Sequence, residues 1–312
     1  MKTGFCFILI LPLLYITQLM AASDIKVLVS IKPFHSLVSA IMQDVSEPLL
    51  LINGNNSPHS YALRPSSAEN LQQADLVFWG GEILEGFLTK PLQSLASRAK
   101  LVSLQETAGL RLLPLRSGIG WQKHETDSAN DHSAEDETTS TSGTDPHIWL
   151  DPYNAKIISA KIVEILTAMD PQNAQSYRRN GEKYGLRLEL LDRKLKAEMT
   201  KVAETPYMVF HDAYQYFEKR YQLNVVGSMT LHIGFGSSVR RLTAVRKTIQ
   251  KEKIRCIFSE PQFSPKLLQT VIAGTNVKQG TLDPLGAGLE SGAELYFTLL
   301  NNLSHNLSSC LN

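Results

Sequence analysis

The sequence has no long apolar run beyond its first twenty residues, no excess of charge of either sign, and only three cysteines in all its 312 residues. Each shortage excludes something. With 31 Lys and Arg against 30 Asp and Glu, the chain lacks the basic excess that a dedicated nucleic-acid binder uses to displace counterions from phosphates. Nineteen Gly and 14 Pro are too few for a collagenous chain, and 8% aromatic residues argue against a wholly disordered one. No later stretch approaches the length that crosses a bilayer. What is present is 43% apolar residues, enough at this length to build two cores. These features predict a folded, near-neutral, two-lobed soluble protein.

The exception is the N-terminus. Lys2 precedes an apolar run from Phe5 to Met20, interrupted by Pro12 and followed by Ala21, Ala22 and Ser23. A basic start, an apolar middle and small residues at the end read as a secretory signal peptide over residues 1–22. Sixteen residues are short for a membrane anchor. Cleavage after Ala22 leaves 290 residues with thirty charges of each sign, and removes Cys6. In an oxidising compartment the remaining pair, Cys256 and Cys310, reads as one disulfide. Two buried thiols remain an alternative, and neither Cys has the spaced partner that a zinc cluster needs.

Along the mature chain, strands and helices alternate. Residues 25–29, 49–52 and 75–79 read as strands. Helices are expected from His35 to Gln43 and from a capping box at Ser66 and Glu69 to about Ala74. Residues 117–145 dissolve into Ser, Thr, Asn and acids, with Lys123 the one opposing charge, and read as a mobile acidic loop. Asp151 then caps a helix begun by Pro152 and running to Met169. From Asp170 and Pro171, Tyr177, Tyr184, Leu188, Leu191, Leu195 and Met199 keep a three-to-four spacing, predicting one helix of roughly 45 Å. Gly181 and Gly185 inside it suggest close packing. Strands follow at 207–210, 224–228 and 255–258, with helices at 212–220, 239–251 and 265–273, the last capped by Ser264 and stopped by Gly274. The fold class is α/β: two Rossmann-like lobes with parallel sheets, spanning 23–170 and 204–312 and joined by a linking helix over 171–203.

Three of the eight His sit where packing alone explains little. His59 lies in a turn-rich segment just after a strand, His147 ends the acidic loop, and His211 stands at the carboxyl end of a strand. That strand end is where ligands bind in open α/β sheets. Asp283, in the turn Thr281–Gly286, is a fourth candidate. Three imidazoles with a carboxylate or water make a tetrahedral zinc site, and imidazole suits Zn, Cu or Ni better than Mn or Mg.

Taken together, several motifs resemble the metal-receptor solute-binding proteins of ABC importers, and among them the periplasmic zinc receptors. They are Ser57-Pro-His59-Ser-Tyr61, Leu71-Gln-Gln-Ala-Asp-Leu-Val77, Asp145-Pro-His147-Ile-Trp-Leu-Asp-Pro152, Phe210-His211-Asp212-Ala-Tyr214, Phe258-Ser-Glu-Pro-Gln262 and Gly280-Thr-Leu-Asp-Pro-Leu-Gly286. The resemblance covers essentially the whole mature chain. It implies that His59, His147 and His211 bind Zn²⁺ as transported ligand, with Asp283 or water in the fourth position. It further implies a monomeric receptor in the periplasm, an inner-membrane ABC permease with its cytoplasmic ATPase as partner, and no enzymatic activity. In manganese and iron relatives the third ligand is typically a carboxylate, whereas position 211 here is His. One departure stands out. Such zinc receptors often carry a His-dense loop, but residues 117–145 hold only His124 and His132.

Two rivals frame the expectation. A manganese or iron receptor of the same family predicts a carboxylate at position 211. A zinc hydrolase would need a base beside the metal, and the sequence has no His-Glu-x-x-His helix.

Overall fold

The computed structural model describes residues 25–116, 143–230, 239–264 and 266–312. The expected leader, most of the acidic loop, and His124 and His132 within it lie outside these.

Two parallel four-stranded sheets organise the chain. The first contains β1 (Val27–Val29), β2 (Leu49–Leu50), β3 (Leu76–Trp79) and β4 (Lys100–Ser103) in the order β2-β1-β3-β4. Between its strands lie α1 (Lys32–Ile41), α2 (Pro65–Gln73), α3 (Glu82–Glu85) and α4 (Thr89–Leu95). The helices α5 (Pro152–Met169) and α6 (Ala174–Met199) follow. The second sheet contains β5 (Tyr207–His211), β6 (Val225–Thr230), β7 (Cys256–Ser259) and β8 (Lys278–Thr281) in the order β6-β5-β7-β8. It is interleaved with α7 (Gln215–Tyr221), α8 (Val239–Lys251) and α9 (Lys266–Ile272), and the chain closes with α10 (Leu295–Leu311). Every pairing in both sheets is parallel. The central strands β1 and β5 are buried on both faces, as their near-continuous apolar sequence requires.

The long helix follows from its stripe: Tyr177, Tyr184, Leu188, Leu191, Leu195 and Met199 are its buried residues. It begins after a 3-10 turn at Pro171–Asn173 and packs against α1 and α5 of the first half and α7 and α10 of the second. Gly181 marks close packing, since a Cβ there would lie 2.5 Å from the Val163 side chain on α5; Gly185 faces open space.

Three details differ from the sequence reading. The helix α2 starts two residues earlier, at Pro65, with Arg64 as its N-cap and no side-chain cap, so Ser66 and Glu69 form no capping box. Proline's fixed φ already suits the first turn, where its missing N–H costs nothing. The helix α1 likewise begins at Lys32, with Pro33 in its first turn. The end of the acidic segment is ordered. Thr144 bridges Pro114, the Asp145 amide donates to the Leu113 carbonyl, and Asp145 is 2% exposed.

One apolar cluster runs through both halves, from Val27 to Leu311, and a smaller one sits under β6, α8 and α9. The halves are further stitched across α1. The Lys32 ammonium donates to the carbonyls of Gly286, Ala287 and Leu289, and the Ser36 hydroxyl donates to the Ala293 carbonyl while accepting from the Tyr296 amide. Cys256 on β7 and Cys310 on α10 form the expected disulfide, with Cα atoms 6.2 Å apart.

Candidate metal centre

The site forms where the carboxyl ends of strands from both sheets meet. His59 lies in a 3-10 turn, Pro58–Ser60, that follows β2; the Ser57 hydroxyl caps this turn by accepting from the His59 amide. His147 lies between the ordered stem of the acidic segment and the buried turn Ile148–Leu150. His211 is the last residue of β5. The structure therefore brings together three residues 88 and 64 positions apart in sequence.

Each imidazole offers one nitrogen, and these three atoms all lie within 4.8 Å of one another. His59 Nε2 is 3.3 Å from His147 Nε2. Tetrahedral coordination at ~2.0–2.1 Å places ligand nitrogens roughly 3.3 Å apart, so this pair already has the spacing of a zinc site. The surrounding cavity, lined by Ser57, Trp149, Glu260, Gln262, Phe263 and Leu285 besides the imidazoles, has a volume of about 10 Å³. That is room for an ion or one water, not for an organic substrate.

Local bonds decide which nitrogen each ring presents. The Asp145 carboxylate accepts from the His147 amide at 2.9 Å and from His147 Nδ1 at 2.7 Å. Nδ1 thus carries the proton, and the Nε2 lone pair faces the cavity. Burial holds His147 well below the usual imidazole range, with His211 and Arg116 adding to the effect. Burial also pushes Asp145 up to about 7, against the opposing pull of the His147 amide and Arg116. At His211, burial works to lower the pKa, but the Glu260 carboxylate, 3.3 Å from Nδ1, wins and raises it.

Asp283 is not part of the cluster. Its Oδ1 accepts from the amides of Leu285 and Gly286 and from Gln262 Nε2, and its Oδ2 accepts from the Ala287 amide at 2.6 Å. With three N–H donors on Oδ1 and one on Oδ2, the carboxylate organises its own turn.

Sequence reasoning did not single out Glu260 or Arg116. Glu260 follows β7 and is 5% exposed. Arg116 leaves the stem of the acidic segment and reaches the second half of the chain. Its guanidinium binds both oxygens of Asp212 and the Glu218 carboxylate, beside His211. Such pairings between segments about a hundred residues apart leave no spacing signature. The one available signal for Glu260 was its place in the Phe258–Gln262 motif after a strand.

Comparison with known proteins adds the decisive observation. The profile of one family, "ZnuA: Zinc-uptake complex component A periplasmic", matches residues 27–310. The chain belongs to this family. It is similar to the "High-affinity zinc uptake system protein ZnuA" of Brucella abortus (strain 2308), with 40% identity over 304 residues and 91% of each chain covered. It is also similar to the protein of the same name from Yersinia pestis, with 34% identity over 289 residues and again 91% of each covered. A solved crystal structure of a ZnuA shares the fold, with a TM-score of 0.76 at 23% identity, covering 92% of this chain and 99% of that one. The family is one of solute-binding receptors, not enzymes.

Proposed function

We propose that this protein captures Zn²⁺ in the periplasm with His59, His147 and His211 and delivers it to an ABC importer. Membership of a periplasmic zinc-uptake family supports the role, and the three convergent imidazoles carry the ligand assignment. A set of neutral nitrogens favours zinc over manganese or iron, for which harder carboxylate ligands serve better. Asp283 accepts three N–H bonds on Oδ1 and one on Oδ2 in ordering its own turn, and we assign the fourth position to water. In this reading residues 1–22 direct export and the mature chain acts as a monomer. Its partner is an inner-membrane permease driven by a cytoplasmic ATPase. The long helix and the stitching across Lys32 and Ser36 restrict the two halves to small relative movements.

The test is calorimetric titration of zinc into metal-stripped mature protein. One tight site is expected, lost by at least roughly 100-fold in each of His59→Ala, His147→Ala and His211→Ala, with manganese unable to compete. Tight binding that survives all three substitutions would place the metal elsewhere.

A further inference from the structure

His147 and His211 each have a carboxylate behind them, and the two carboxylates are not equivalent. Asp145 makes an aligned bond to Nδ1 of His147 at 2.7 Å. Glu260 stands 3.3 Å from Nδ1 of His211 at ion-pair distance, yet its Oε1 and that Nδ1 each lack an aligned hydrogen-bond partner, although both side chains are buried. A buried carboxylate oxygen without an aligned donor costs stability. Glu260 lines the same cavity as the imidazoles, but its oxygens lie outside the set of mutually close ligand atoms. A group beside a ligand, facing the cavity and outside the coordinating set, acts on the metal through that ligand.

We propose that Glu260 is a positioning residue of the zinc site: it accepts the Nδ1–H of His211 and aims Nε2 at the metal, as Asp145 does for His147. The proposal rests on the zinc-receptor reading above and deepens it. Each half of the chain then contributes one carboxylate-backed imidazole, His147 with Asp145 at the stem of the acidic segment and His211 with Glu260 after β7. Through the imidazoles the two carboxylates offset part of the charge of a buried dication.

The experiment uses the mature chain with Glu260→Gln and Glu260→Ala, each in the native and the His211→Ala background. Three quantities are read: zinc affinity by competition titration, the visible spectrum of the cobalt(II)-loaded protein, and the melting temperature of the metal-free protein. Glu260→Ala is expected to weaken zinc binding roughly 10–100-fold, with Glu260→Gln in between. The cobalt bands should shift, and the metal-free protein should melt no lower than the native one. In the His211→Ala background the same substitution should change affinity by no more than about twofold, because the ligand it aims is gone. Should the Ala variant fail to fold, the near-isosteric Gln variant decides. Equal losses in both backgrounds, native affinity in the Gln variant, or loss of one metal-bound oxygen from the X-ray absorption spectrum would each overturn the positioning role. If the native protein itself bound no zinc tightly, the receptor reading would fall; native binding with indifferent Glu260 variants would sink this inference alone.

Discussion

His147 and His211 share one cavity, yet their protons are held differently, and this sets the pH dependence of metal capture. Burial keeps His147 neutral, with its pKa well below the ordinary value of 6.5, so its lone pair stays available in mild acid. His211, raised by the Glu260 carboxylate, keeps its proton to a pH above 6.5. Zinc must displace that proton, because only the neutral imidazole binds metal. Affinity is therefore expected to be level above the raised His211 value and to fall as pH drops through it. The slope should approach one proton per zinc. Calorimetry in buffers of different ionisation enthalpy measures this directly. Binding that is independent of pH between about 5 and 8 would contradict the assignment of His211 as a ligand.

At the scale of the elements, Glu85 at the end of α3 gives a prediction remote from the metal. It is fully buried, accepts the Gly80 amide at 2.7 Å, and is pushed by burial to about 7 from 4.5. The unfolded chain ionises above 4.5 while the folded one stays protonated, so the native state binds more protons and stability falls as pH rises from 4.5 to 7. Glu85→Gln should be nearly neutral at pH 4.5 and stabilising at pH 8, by on the order of 3 kcal/mol, in urea denaturation at the two pH values. A gain of equal size at both would refute the buried-acid explanation. Much else at this scale was legible in the sequence. The stripe from Tyr177 to Met199 fixed the face that α6 buries, and α8 ends at the expected Lys251. Asp151 caps α5 through the Tyr153 amide as its position before Pro152 implied. The strands β4 and β8 went unread because they are edge strands whose Lys100, Leu101, Lys278 and Gln279 are exposed, so neither shows a continuous apolar run. The helix α10 was also missed, its Leu stripe diluted by Asn and Ser on the outer face. The three site histidines could be found because each stands at a strand end or in a motif. Glu260 shares that setting after β7 but its role, like that of Arg116, arises from a contact with a distant segment and leaves no spacing signature.

At the scale of the whole molecule, the shared core and the stitching of both halves make the fold one cooperative body around its ion. The Cys256–Cys310 bridge, 54 residues apart, ties the start of β7 to the end of α10. Reducing it, or replacing both cysteines with Ala, should lower stability by about 4 kcal/mol on the chain-entropy account, with little effect on zinc affinity because the bridge is remote from the imidazoles. Denaturation with and without reductant checks this; a matching collapse of zinc binding under native conditions would mean that the bridge supports the site itself. The central claim, that three imidazoles from both halves of the chain hold the ion, is tested most directly by X-ray absorption on the zinc-loaded protein. The account predicts three imidazole nitrogens and one water oxygen at roughly 2.0–2.1 Å. A shell with fewer than three imidazoles, or one dominated by carboxylate oxygens, would contradict it.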